Sequence, residues 1–170
     1  MNVYEQIISE HLKEQDEREF ALGDTLDIKT SIALVIITFL ATQSAEFLKG
    51  PLSPSWHTIQ RFSVACIVIA GVLALLELIP RGYMLRMAPD KFLEWVNETR
   101  DFYRSNSATD PDSSTAERIN AVEIEKFKDR FKVNSAINQT KTSLMAWSFY
   151  FTMAAVGLNL ATLLRLTLWS

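Results

Sequence analysis

Cysteine and histidine are nearly absent from this chain. Cys66 is the single cysteine, so no intrachain disulfide forms, and its place in an apolar run suits a small buried residue. His11 and His57 are the only histidines, and no Cys/His spacing suits a metal. The five glycines make no phosphate-cradling loop and no nucleophile elbow. Basic residues are not in excess: 17 Lys and Arg stand against 20 Asp and Glu, a net charge of -3 that offers no face to a nucleic-acid polymer. The carboxylates of the charged stretches alternate with Lys and Arg, as on a solvated helix face. The expectation is a protein with no catalytic constellation, no metal and no cofactor, that is, not an enzyme.

Charge itself is missing from three stretches, and this segregation carries more information than the mean hydropathy of +0.07. Residues 30–45 carry no charge, residues 62–79 carry only Glu77, and residues 142–164 carry none. About 20 apolar residues cross a hydrocarbon core of about 30 Å. Buried helices of a small soluble bundle keep a polar stripe, whereas the run from Cys66 to Leu76 is apolar all round. The sequence therefore predicts an all-α membrane protein with three transmembrane helices. The first 27 residues are acidic, unlike a signal peptide, so the first span is expected to remain as an anchor.

The predicted order is an amphipathic helix at 1–27, a first span at 28–48 and an outer loop at 49–61. A second span at 62–80, a helical insert at 81–141 and a third span at 142–165 follow. Eleven Lys and Arg lie within 81–141 and two within 49–61. By the positive-inside rule the insert and the N-terminus are cytoplasmic and the C-terminus is outside. Trp56, Trp147 and Trp169 then fall near the interfaces. Charges at membrane depth are costly alone and tend to pair. This topology predicts Lys29 with Glu77 at the inner face and Glu46 with Arg165 at the outer face, Arg61 competing for Glu46. Thr38, Thr42, Gln43, Ser44 and Asn159 are polar groups within the spans, suited to a pore lining or to helix–helix contacts.

Outside the spans, Tyr4, Ile8, Leu12 and Phe20 keep an i+4 rhythm that predicts a helix over 3–22. Pro80 breaks the second span, and Pro89 suits the first turn of a helix whose face carries Phe92, Trp95, Val96, Thr99, Phe102 and Tyr103. Residues 105–115 are polar and read as a mobile linker. Ser114 to Glu117 fits a capping box for a helix running unbroken into the third span, a rod of about 70 Å. On it Ile124, Phe127 and Phe131, continued by Asn134 and Asn138, form a seam suited to homo-oligomer (coiled-coil) contact or to packing within the chain.

Three short motifs carry a family likeness: Asp27-Ile28-Lys29 opens the first span, Ile79-Pro80-Arg81 closes the second, and Asn138-Gln139-Thr140-Lys141 leads into the third. Their order and spacing, over residues 10–165, resemble the transmembrane effectors of bacterial Pycsar anti-phage systems and, more loosely, the SLATT membrane effectors. The resemblance implies a bacterial inner-membrane protein that disrupts or permeabilises the lipid bilayer when a nucleotide second messenger, such as a cyclic nucleotide, is made on infection. By position Asp27, Lys29, Pro80, Arg81, Asn138 and Lys141 match its pattern. No separate nucleotide-binding domain is visible, so Lys29, Arg81, Arg86 and Lys141 become the candidate ligand-binding cations, unless another chain senses the messenger. The alternatives are a non-conducting scaffold for a cytoplasmic protein partner and a small ion channel.

Overall fold

A computed structural model of the chain describes residues 3–50, 52–106 and 108–168, the side chains of 3–9 and 12 excepted. Four helices follow one another: α1 (Val3–Lys49), α2 (Pro54–Leu78), α3 (Pro89–Ser105) and α4 (Pro111–Leu168). No strand occurs among the described residues. Helices α1, α2 and α4 each contain a stretch long and apolar enough to cross a membrane. The protein is an all-α membrane protein, as its charge-free runs predict.

The predicted N-terminal helix and first span are one helix, because only Gly23 interrupts the pattern, and an interior glycine costs about 1 kcal/mol without breaking a helix. The side chains of Tyr4, Ile8 and Leu12 lie outside the described residues, as does Trp169; Phe20 packs on Tyr83 with ring centroids 5.8 Å apart. Helix α4 starts at Pro111, not at the Ser114 capping box. Asp110 caps it instead: the Ser113 N–H donates to Asp110 Oδ1 at 3.1 Å, and proline takes the first helical position, where no N–H is needed. The connection after α3 is correspondingly shorter than the predicted 105–115 linker.

The chain divides into two compact units, Met1–Ala21 with Arg81–Ile137 and Leu22–Pro80 with Asn138–Ser170. In the second unit, which holds the spans, buried positions recur every seventh residue. They are Gly23, Thr30, Ile37 and Ser44 on α1, Gln60, Ile67 and Ala74 with Ser63, Ala70 and Glu77 on α2, and Lys141, Ser148, Ala155 and Thr162 on α4. A sustained seven-residue repeat keeps one seam facing its neighbours, as in left-handed helix packing. The small side chains of Ala70, Ala74 and Ala155 are fully buried and let the backbones approach. They pack with Ile37, Leu40 and Ile67.

Beside this apolar cluster the unit buries polar groups and turns large apolar side chains outward. Ser44, Gln60, Ser63, Glu77 and Thr162 are fully buried, while Val35 (70% exposed), Phe39, Phe62, Trp147, Phe149 and Tyr150 point outward. In water that arrangement would expose a large apolar surface on every side; in hydrocarbon it is the favourable one. The polar core centres on Asn159. Its Oδ1 accepts from Gln60 Nε2 at 2.6 Å, Ser44 Oγ at 3.0 Å and Ser63 Oγ at 3.3 Å. Thr162 donates to Gln60 Oε1 at 3.1 Å, and Ser148 donates to the Ala70 carbonyl at 2.9 Å. All three spanning helices are thereby joined.

Thr38 and Thr42 are exposed and donate to their own helix, at Leu34 O and Thr38 O. Asn159→Ala leaves the buried Ser44 hydroxyl and Gln60 amide without their shared acceptor and is expected to cost about 2 kcal/mol, Ser63 keeping the Ala155 carbonyl at 3.3 Å. Thr42→Ala should cost below about 0.5 kcal/mol. Thermal unfolding in detergent measures both.

Candidate functional site

Two clusters of buried charge are built into the chain, one in each unit. In the unit of the spans, α4 contributes Lys141, 3% exposed, whose Nζ donates to Asp27 Oδ1 of α1. The same Nζ lies 4.0 Å from Glu77 Oε1 of α2. Glu77 is fully buried, and neither carboxylate oxygen has a hydrogen-bond partner. Thr30, one turn beyond Asp27, is buried beside it with its hydroxyl outside hydrogen-bonding geometry. One ammonium thus ties three helices through two carboxylates. Lys141 precedes the uncharged run of α4, and Glu77 sits just before the break at Pro80, so both occupy the ends of their spans.

The predicted Lys29–Glu77 pair does not form: Lys29 is exposed on α1, and Glu77 takes its cation from α4. A helix has 3.6 residues per turn, so Lys29, one residue short of buried Thr30, faces outward. At the other end of the spans Glu46 pairs with Lys49, 2.8 Å away on its own helix, and Arg165 is half-buried.

In the other unit, fully buried Asp16 takes Arg86 Nε at 3.2 Å and Arg130 Nε at 3.5 Å on the same oxygen. Arg130 also approaches Glu123 at 3.7 Å, and its guanidinium lies 4.3 Å over the Phe127 ring. Arg86 covers the same ring at 5.6 Å. Asn134 clamps the chain after α2, accepting from the Met84 N–H at 2.9 Å and donating to the Met84 carbonyl at 3.3 Å. Of the predicted seam, Phe127, Asn134 and Asn138 are buried within this single chain, and Ile124 and Phe131 are half-buried. Helix α3 meets α4 through Lys126, which sits 4.7 Å over Trp95, and through the Arg100–Asp112 pair at 2.7 Å.

The Arg100 hydrogen bond holds the Asp112 carboxyl below its usual range. Being depressed, it favours folding above the ordinary carboxylate pKa and loses that contribution as pH falls through its own; full exposure keeps the effect small.

Beside this contact lies a cleft of ≈290 Å³ lined by Trp95, Glu98, Thr99, Phe102, Tyr103 and Arg118. The aromatic stripe of α3 was legible in the sequence; that Arg118 of α4 closes it was not. Of the four candidate ligand cations, Arg86 and Lys141 are held by carboxylates, Arg81 is half-buried and engaged, and Lys29 is exposed. Arg81 and Arg86 belong to one unit, Lys29 and Lys141 to the other. Asp16, Arg130 and Gln60 escaped the sequence reading, because charged and amide residues at a helical spacing look like solvated faces until burial is known.

Removing the cation of a buried pair is strongly destabilising, so Lys141→Met is expected to cost about 3 kcal/mol and Lys29→Met below about 0.5 kcal/mol. Adding Glu77→Gln to Lys141→Met should recover part of the loss. Equal costs for the two lysines would refute the assignment of Lys141 as the partner of Glu77.

The sequence matches the Pycsar effector protein domain over residues 14–168. No curated protein and no solved structure matches it significantly. The matched region takes in all three spans, the charge cluster at Lys141 and the Asp16 cluster, and the chain belongs to the Pycsar effector protein domain family.

Proposed function

We propose that this chain is a bacterial inner-membrane effector that assembles into homo-oligomers and permeabilises the bilayer when a nucleotide second messenger binds it. Family membership makes it a membrane effector of anti-phage defence, and the family is one of effectors rather than a class of enzymes. The finer reading rests on the cleft between α3 and α4. Trp95, Phe102 and Tyr103 provide faces on which a nucleobase stacks, Glu98 accepts from base N–H groups, and Arg118 pairs with a phosphate.

In this reading the N-terminus and the 81–141 insert face the cytoplasm, where the messenger is made, and the C-terminus lies outside. Helix α4 carries both Arg118 and Lys141, so a ligand that displaces α4 also strains the Lys141 contacts with Asp27 and Glu77. An alternative is a non-conducting scaffold for a cytoplasmic protein, favoured by the exposed Leu93 (62%) and Phe102 (61%) of α3.

Dye release from liposomes holding the purified protein, with a panel of cyclic mononucleotides on the cytoplasmic face, separates the readings. One nucleotide should trigger release, and Arg118→Gln should raise the concentration required at least tenfold. Absence of release with every nucleotide, from protein shown to be folded and inserted, would favour the scaffold.

A further inference from the structure

A groove of ≈460 Å³ runs between α1 and α4 in the unit of the spans, from Ile36 to Phe47 on one side and from Val156 to Leu163 on the other. Its lining is apolar except for two amides, Gln43 and Asn159. Three donors converge on Asn159 Oδ1, which fixes the orientation of that amide. Asn159 is 7% exposed, and its Nδ2 has no acceptor. An unmet N–H is costly where water is absent. Gln43 is half-buried at the groove surface, level with this amide.

Ile36 to Phe47 spans about 16 Å of helix, the depth of one leaflet's share of the hydrocarbon core, about 15 Å. Spread over that length, the volume leaves a cross-section of about 30 Å². That accommodates one hydrocarbon chain and falls well short of a second helix about 10 Å across. Phe39 (62% exposed) and Leu160 (53% exposed) make the rim apolar, which suits entry from lipid rather than from water.

We propose that this groove is a specific phospholipid site. One acyl chain enters it from the leaflet at the Lys49 end of α1, its ester carbonyl drawn about 6 Å below the Phe47 end of the groove to accept hydrogen bonds from the Gln43 and Asn159 amides. Gln43 makes the first contact at the surface, and the Asn159 N–H behind it completes the site as the carbonyl seats. The lipid thereby supplies the acceptor that the protein's own polar core lacks.

The discriminating property is the carbonyl. Native mass spectrometry of the full chain, exchanged into either a diester phosphatidylcholine or its diether analogue, counts the lipid retained. The wild-type protein should retain the diester at least about fivefold over the diether, the worth of one hydrogen bond. Gln43→Leu, outside the Asn159 network, should lower that ratio, the Asn159 N–H alone remaining to tell the two lipids apart, without lowering the unfolding temperature. Val156→Phe, which fills the groove, should reduce retention of both lipids.

Equal retention of the two lipids by the wild type would overturn the proposal, leaving only non-specific annular contact. Undiminished discrimination in Gln43→Leu would overturn the role of the amide, and retention unaffected by Val156→Phe would place the lipid elsewhere. A dimer that Val156→Phe dissociates would assign the groove to a second copy.

Discussion

Hydrocarbon neither donates nor accepts a hydrogen bond, so a polar side chain within the spans is costly wherever it lacks a partner. Asn159 shows how far this constraint shapes the molecule. Its carbonyl gathers donors from α1 and α2, and Gln60 passes the connection on to Thr162. Apolar contact contributes little to choosing between arrangements, because lipid tails are as apolar as leucine. Position is therefore set by hydrogen bonds and by close backbone approach at Ala70, Ala74 and Ala155.

The charge cluster works under the same constraint at higher stakes. Desolvating Glu77 and Lys141 is costly, and their attraction at 4.0 Å offsets only part of it. Asp27, 46% exposed on its side chain, reaches toward water and holds the ammonium as well. The cluster is a weak source of stability but a strong source of register, since displacement of any of the three helices leaves a carboxylate without its cation. Asp16 plays the corresponding part in the other unit, with two guanidiniums sharing one buried oxygen above the Phe127 ring.

An effector of defence must leave the resting cell unharmed. In this chain Ser44, Gln60, Ser63, Asn159 and Thr162 are turned inward and bonded to one another, and most of the large side chains left outward are apolar.

Segregation of charge along the sequence determined the class of this protein. Runs such as residues 66–76 are too apolar for a soluble surface, and Pro80 and Pro89 punctuate the chain by steric rules that need no tertiary context. The three short motifs at the span ends carried the family likeness for the same reason: they are local. Partners were another matter. Glu77 was recognisable as a buried-charge problem, yet Lys29 and Lys141 were equally available by topology, and the rotation of α1 decided between them by turning Thr30 inward and Lys29 outward. Ser44 and Asn159 stood out as polar residues in apolar runs, whereas Gln60 and Arg118 acquired meaning only from their neighbours in space. Hydropathy is a property of single residues and survives in the sequence; pairing depends on which faces meet, and the packing of the helices alone settles that.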